Sequence, residues 1–203
     1  VSDKSAFDEI IKDIKAQKPD WVCSNVVGGS SVAFMQRYKE LGLNPSNIPI
    51  MSYPMTEPEV QGTGVEYCEG HFSSFTYFQS VDRPENKEFI KKYAEYVKSK
   101  PEWAGEPVVT SGVMQASYVG MQACIRAMNE TESAHPIDIV QACRGMSISA
   151  PEADIKIDSE NLHTHLRPRI GVVNSKGQFD ILQESTFRKC IRGEYVTRKR
   201  TIR

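Results

Sequence analysis

Two turns of the sequence carry hydroxyl groups at places where a ligand could bind. Residues 27–31 follow one short apolar run, residues 53–56 follow another, and each turn precedes a helical pattern. Helix N-termini offer backbone N–H groups, and the carboxyl ends of parallel strands meet at one edge of a sheet. Both turns are therefore expected to border one polar pocket. The candidate ligand-binding residues in them are Val27, Gly28, Gly29, Ser30, Tyr53 and Thr56.

Each turn also has a simpler interpretation. The glycines can serve a plain strand-to-helix turn, and the hydroxyls of Ser30 and Thr56 can be helix caps only. The spacing is neither GxGxxG nor a P-loop, because no GK[ST] follows, and this argues against a nucleotide site.

Other residue types that could do chemistry lack the neighbours that chemistry needs. His163 and His165 alternate as in a strand and could share a metal, but no carboxylate or cysteine completes the set locally, so a solvated loop is favoured. No nucleophile elbow or HExxH motif occurs, and local spacing fixes no acid–base pair. The sequence therefore predicts no catalytic residue, no metal, no cofactor and no enzymatic activity.

The composition is that of an ordinary globular chain. The 203 residues hold 25 basic and 26 acidic side chains, and the net charge of -1 gives no field that would recruit nucleic acid. No run approaches the roughly 18 apolar residues of a membrane-spanning helix. The cysteines, none in a CxxC pair, are Cys23, Cys68, Cys124, Cys143 and Cys190. Cys23 lies in an apolar strand-like run, Cys124 and Cys143 lie in helical runs, and all three are expected to be small buried residues.

The order of patterns predicts an α/β fold. Residues 5–60 read helix, strand, helix, strand and short helix, which is typical of a parallel sheet flanked by helices. Thr56 and Glu59 have capping-box spacing. A long helix is expected at about 110–129, with one apolar side formed by Val113, Ser117, Gly120, Met121, Cys124 and Met128. After Gly145 the period changes to two, and residues 174–177 predict a hairpin turn.

The chain resembles a known family over residues 5–182. Residues 7–60 look like the second lobe of type 1 periplasmic binding proteins, in the urea and short-chain amide branch of ABC transporters. The most specific stretch is 70–86, with Gly-His-Phe followed by Tyr-Phe-Gln-Ser-Val-Asp-Arg-Pro-Glu-Asn, which matches the segment that crosses back to the first lobe. Residues 116–120, 149–152 and 169–179 continue the match in order.

The resemblance implies a type 1 periplasmic-binding-protein fold that is incomplete, with most of lobe 2 and part of lobe 1. Residues 1–70 would be an α/β segment of lobe 2, 71–147 an incomplete lobe 1 segment, and 148–182 a return to lobe 2 with a β-hairpin. Beyond the resemblance, composition alone marks 183–203 as a basic C-terminal tail. The chain would start inside the second lobe. A missing half-lobe, in the same or another chain, is then an expected partner.

The resemblance also extends the site and marks two departures. The turn at 27–31 and the segment 53–56 become the second lobe's part of the cleft, and Gln115 joins the candidate ligand-binding residues. Gly29 stands where urea-binding members tend to carry an acidic residue, and Gln115 where they tend to carry Glu. Both departures weigh against urea, because an amide NH₂ group needs acceptors.

The expected function is capture of a small polar ligand between two hinged lobes, for ABC-type uptake or sensing. Urea, a short-chain amide or an amino-acid-like molecule would be the ligand, and a membrane permease would be a partner. The alternative is a fold reused as a structural or sensory subunit of a larger assembly. The family indicates a periplasmic or otherwise extracytoplasmic location, with a cytoplasmic amide sensor as the other option.

Overall fold

The computed structural model describes residues 3–186 of the chain. Most of the predicted basic tail, from residue 187 onward, and Cys190 lie outside the described residues. The α-helices are α1 (Asp8–Gln17), α2 (Gly29–Glu40), α3 (Glu57–Thr63), α4 (Val65–Cys68), α5 (Pro84–Lys98), α6 (Gly112–Thr131) and α7 (Pro136–Ala142). Two 3-10 helices span Lys4–Phe7 and Pro101–Trp103. The strands are β1 (Val22–Ser24), β2 (Ile50–Ser52), β3 (Phe72–Phe75), β4 (Ser147–Ser149), β5 (Asp154–Ile157), β6 (Thr164–His165), β7 (Arg169–Val173) and β8 (Phe179–Glu184).

The strands form two sheets. The large sheet has the order β1-β2-β3-β7-β8, in which β1, β2 and β3 are parallel and β7 and β8 run antiparallel to their neighbours. The small sheet, β4-β5-β6, is antiparallel throughout. The predicted strand–helix alternation at 5–60 therefore produces the parallel half of the large sheet. The predicted hairpin is β7–β8, closed by the Gly177 N–H, which donates to the Asn174 carbonyl at 2.9 Å.

The main core lies on the large sheet. Its largest fully buried members come from helices, strands and the segment after β3, and are Ile11, Tyr38, Ile50, Phe78 and Phe179. Phe78 stacks on Phe179 with ring centroids 4.5 Å apart. This cluster holds α1 and α2 to the sheet and so fixes the edge from which the two turns project.

The sequence predicts the wrong side of the long helix to be buried. The residues of α6 that are buried are Gly112, Gln115, Val119, Ala123 and Ala127, whereas Val113 is 68% exposed and Met121 61% exposed. The helix has two apolar sides, and its small side chains permit close approach to the small sheet. The side with the larger apolar residues is uncovered in the described part of the chain. No helix in residues 3–186 combines the length and apolar character needed to cross a bilayer.

The expected burial of three cysteines is wrong for Cys23. Cys23 is exposed, Cys124 and Cys143 are partly buried, and Cys68 is the buried one. The reason lies in the topology, because β1 is the edge strand of the large sheet and Cys23 projects from its less covered side. The apolar run at 21–27 is also longer than the strand it forms.

Candidate functional site

The structure brings the two predicted turns to the same edge of the large sheet. β1 and β2 are parallel and in register, and the Tyr53 N–H donates to the Ser24 carbonyl just past the strand ends at 3.1 Å. Gly28 caps α2 with φ 61° and ψ -145°, a backbone conformation that favours glycine. Val27, Gly28 and Gly29 are exposed, and a Cβ on Gly29 would meet nothing within 4 Å. An acidic side chain at position 29 would therefore fit, and its absence is not forced by packing.

A groove opens at this edge, between the ends of β2 and β3 and the first turns of α6. Its volume is about 740 Å³. Apolar groups make up most of its wall, and the hydroxyls of four side chains interrupt them. We call it the Tyr53 groove; its lining residues are Tyr53, Ser74, Phe75, Thr76, Gly112, Val113, Ala116, Ser117, Leu166 and Pro168. Of the residues proposed from sequence, Tyr53 is the one that lines it in the described structure.

Two contacts define the chemistry and shape of this groove. The Tyr53 side chain is 46% exposed, and a hydrogen bond with Cys23 raises the pKa of its phenol, which stays neutral at physiological pH. At the opposite wall, a Cβ on Gly112 would lie 2.0 Å from Cε1 of Phe75. Glycine at the start of α6 therefore lets the Phe75 ring lie against the helix backbone and closes the groove on that side.

A second groove lies between α3 and the α5–α6 region. It has a volume of about 760 Å³, and Gln61, Tyr93, Trp103, Glu106 and Met114 are among its lining residues. We call it the Trp103 groove. It contains none of the residues predicted from sequence to contact a ligand.

Thr56 and Gln115 have polar partners inside the protein. The Thr56 backbone N–H donates to the Glu59 carboxylate at 2.9 Å, as the predicted capping box requires. The Thr56 hydroxyl also donates to that carboxylate, at 2.5 Å. Gln115 is 1% exposed and its amide donates to the Glu152 carboxylate. Burial raises the pKa of Glu152. A Glu at position 115 would repel that carboxylate, so Gln115 suits this buried pair. A role in ligand binding stays a prediction for both residues.

We expect Thr56→Ala to lower the free energy of unfolding by about 0.5–2 kcal/mol, because it removes a helix cap. Ligand affinity per folded molecule should stay unchanged, since Thr56 is 2% exposed and does not line the Tyr53 groove. Chemical denaturation and calorimetric titration of the same variant measure both quantities. A loss of affinity without a loss of stability would return Thr56 to the ligand site.

The segment with the strongest sequence resemblance forms a buried polar network next to the groove. The Tyr77 hydroxyl donates to Asn86 Oδ1 at 2.8 Å and lies 2.7 Å from Thr110 Oγ1. The Gln79 side-chain oxygen accepts from the Thr110 N–H at 2.6 Å, and the Asn86 amide donates to the carbonyls of Gln79 and Val81. These bonds join the segment after β3 to α5 and to the start of α6. The residue pattern indicated the segment, but its spacing gave no sign of these long-range partners.

Arg169 is a second residue that sequence patterns could not single out. It is 3% exposed, and its guanidinium donates to the carbonyls of Thr76 and Glu152, the latter at 2.7 Å. It also pairs with the Glu184 carboxylate at 2.7 Å. One buried cation therefore joins the segment after β3, the loop before β5 and strand β8.

His165 and His71 have side-chain partners within the fold. His165 Nε2 lies 3.2 Å from Asp158 Oδ2, so it belongs to β6 and its neighbouring turn. His71 is buried, its Nδ1 accepts from the Ile50 N–H at 3.0 Å, and burial lowers its pKa to about 4. Within residues 3–186 no cluster of three or more His, Cys, Asp or Glu side chains could hold a metal ion.

Comparison with known proteins agrees with this geometry. The family model described as "Periplasmic binding protein domain" matches residues 2–198 of the chain. The chain therefore belongs to the periplasmic binding protein family, and its fold is the type 1 periplasmic-binding-protein fold, present in part.

Three proteins illustrate the similarity. The "Leu/Ile/Val-binding protein homolog 6" of Brucella melitensis is 26% identical over 161 residues, 77% of this chain and 39% of that protein. A solute-binding protein of an ABC transporter from Rhodopseudomonas palustris HaA2, solved with p-hydroxybenzoic acid, is 26% identical with a TM-score of 0.72, over 90% of this chain and 49% of that one. A protein of Geobacillus stearothermophilus named "Limonene hydroxylase" is 34% identical over 126 residues, 60% of this chain and 21% of that protein. The chain spans between a fifth and half of the length of these relatives.

Proposed function

We propose that this chain forms part of a solute-binding protein that holds a small ligand in the Tyr53 groove for ABC-type uptake or sensing. The observation that carries the proposal is the lining of the groove: the Tyr53 and Phe75 rings and the Val113 side chain provide apolar walls, and hydroxyls provide a few polar contacts. Mostly apolar concave sites with few polar groups are typical of small-molecule binding.

The lining favours a ligand with an apolar body and one polar end, such as a small aromatic acid or a branched amino acid. Such a body would lie between the rings of Tyr53 and Phe75, and its polar end would contact the hydroxyls of Ser74, Thr76 or Ser117. Urea has no apolar body and needs several acceptors for its N–H groups. The Rhodopseudomonas relative with p-hydroxybenzoic acid and the Brucella relative named for Leu, Ile and Val support the larger ligands.

We propose binding without chemical conversion, in an extracytoplasmic location and with a membrane permease as partner. The family of the chain and its relatives named as binding proteins support each of these points. The uncovered side of α6, with Met121 and Ile125, supports a missing half-lobe that would pack against it. An amide-type ligand stays the less favoured option.

Calorimetric titration of the intact protein with 4-hydroxybenzoate, leucine, acetamide and urea tests the proposal. We expect dissociation constants below about 1 mM for at least one of the first two, corresponding to at least about 4 kcal/mol of binding free energy, and weaker binding of acetamide and urea. Recovery of the ligand unchanged is expected. The proposal is lost if none of the four binds, or if the ligand is converted.

A specific observation supports a second candidate, a structural or sensory subunit. Apolar side chains of α6 and α7 are uncovered in the described residues: Met121 is 61% exposed, Ile125 52% and Ile137 63%. Met121 and Ile125 are one helical turn apart, and exposed apolar side chains grouped in this way are typical of a protein interface. Light scattering separates the candidates, because a stable complex with another chain and no small-molecule binding would favour the subunit.

A further inference from the structure

The carboxyl group of Glu57 lies between α3 and the segment that leads out of β3. Glu57 is the first residue of α3 and its side chain is fully buried. Its Oε1 accepts a hydrogen bond from the Gln79 backbone N–H at 2.6 Å. Its Oε2 is buried and has no hydrogen-bond partner among the described residues. An ionised carboxylate in this position leaves one charged oxygen unpaired, which is costly.

The position of Glu57 connects the groove to the polar network. Tyr53 lines the groove four residues before Glu57, and between them the Met55 carbonyl accepts from the Ser73 hydroxyl at 2.6 Å. On the other side, Gln79 is bonded through its own side chain to Thr110, just before α6. A movement of α6 relative to the large sheet therefore acts on the contact between Glu57 and Gln79.

The surroundings of Glu57 favour its neutral form. Burial raises its pKa to about 7, the N–H groups of Glu57 and Gln79 act in the opposite direction, and the charge of Glu59 raises the pKa further. Glu59 itself accepts two hydrogen bonds from Thr56. The facing titratable group is Tyr77, whose pKa burial raises above its ordinary value, so the phenol is neutral. Glu152 also acts on Tyr77, and burial raises the pKa of Glu152.

We propose that Glu57 is a positioning residue that couples proton binding to the hinge between the large sheet and the α5–α6 region. The neutral carboxyl keeps α3 in contact with Gln79. When Glu57 loses its proton to solvent, the carboxylate favours a conformation in which the contact with Gln79 opens and both oxygens reach water. The inference rests on the proposed function, because the hinge is the element that closes on a ligand.

The expected effect follows from the two pKa values. With a pKa of about 7 in the closed contact and the ordinary value of 4.5 when hydrated, the opening equilibrium rises about 20-fold between pH 5.5 and 7.5. The direction is fixed by linkage, since the conformation with the higher pKa binds more protons and is disfavoured as the pH rises.

Hydrogen exchange of the Gln79 amide, without any ligand, tests this coupling. After correction for the intrinsic pH dependence of exchange, we expect its protection to fall about 20-fold over that range in the wild type. Protection should be independent of pH in Glu57→Gln, whose amide oxygen can still accept from Gln79. The exposed Glu69 provides the matched control, and Glu69→Gln should behave as the wild type.

Two further measurements distinguish local opening from global unfolding and replace the variant if it does not fold. The Val173 amide, which donates to the His71 carbonyl at 2.9 Å, reports on the large sheet; an equal loss of protection there would mean global unfolding and would overturn the proposal. If Glu57→Gln does not fold, carbon NMR of the labelled wild-type Glu57 carboxyl decides, and an ordinary pKa of about 4.5 overturns the proposal. Absence of ligand binding would count against the proposed function and leaves these ligand-free results unaffected.

Discussion

Replacing Arg169 with methionine is expected to lower the free energy of unfolding by about 3–5 kcal/mol. Methionine retains much of the apolar stem but removes the guanidinium that donates to Thr76 and Glu152 and pairs with Glu184. The carbonyls of Thr76 and Glu152 then lose this donor next to a side chain that is 3% exposed in the wild type, while the partly exposed Glu184 carboxylate keeps its contact with Arg167. Each buried acceptor left without a donor costs about 1–3 kcal/mol, which exceeds the cost of breaking an ion pair at the surface.

Arg167→Met provides the matched control for this prediction. Arg167 also contacts the Glu184 carboxylate, at 2.9 Å, but its side chain is 38% exposed. We expect Arg167→Met to lower the free energy of unfolding by less than about 1 kcal/mol. Urea denaturation of both variants measures the difference. Equal losses of unfolding free energy in the two variants would show that the burial of Arg169 between three chain segments does not stabilise the fold.

The second large effect is expected for Phe78→Ala, at about 3–5 kcal/mol of unfolding free energy. Phe78 is fully buried and stacks on Phe179, and a Cβ on Gly171 would already lie 3.1 Å from its ring. A cavity at this place cannot be filled by small shifts of strands β7 and β8, which are held by their ladder. Leu182→Ala on β8 is the control. Because Leu182 is 59% exposed, its replacement should lower the free energy of unfolding only slightly.

Denaturation of the Phe78→Ala variant also examines how the segment 77–81 connects the large sheet to α5. Phe78 packs in the core of the large sheet, whereas its neighbour Tyr77 contacts Phe89 of α5, with ring centroids 6.2 Å apart. Adjacent residues of this segment thus pack into different parts of the structure. Loss of stability in Phe78→Ala with little change for Leu182→Ala is the expected denaturation result; equal losses would contradict it.

Local features of the fold were predictable because neighbouring residues determine them. The alternation at 5–60, the capping box at Thr56 and the turn at 174–177 depend on spacing within a few residues, and all three are present. The sequence predicts the wrong buried side of α6 because both sides of the helix are apolar. The small sheet, which packs against one of these sides, comes after α6 in the sequence. Periodicity alone cannot rank two apolar sides.

The candidate site was predictable only in part, for a related reason. The strand order places Tyr53 and the turn at Gly28 at one edge, as a parallel sheet requires. The opposite wall comes from Phe75, Gly112 and Leu166, which are far apart in sequence and have no motif in common. Glu57 and Gln115 owe their partners to such long-range packing. Family resemblance indicated the fold, while the chemistry of the groove depends on these contacts.

The central claim is that the Tyr53 groove binds a small ligand with an apolar body. Amide NMR spectra of the intact protein, recorded during titration with 4-hydroxybenzoate and with leucine, test it most directly. We predict saturable shifts for at least one of them that centre on Tyr53, Thr76 and Val113, with Gln61 and Trp103 of the Trp103 groove unaffected. Saturable shifts that centre on Gln61 and Trp103, or no shifts with either compound, would contradict the claim.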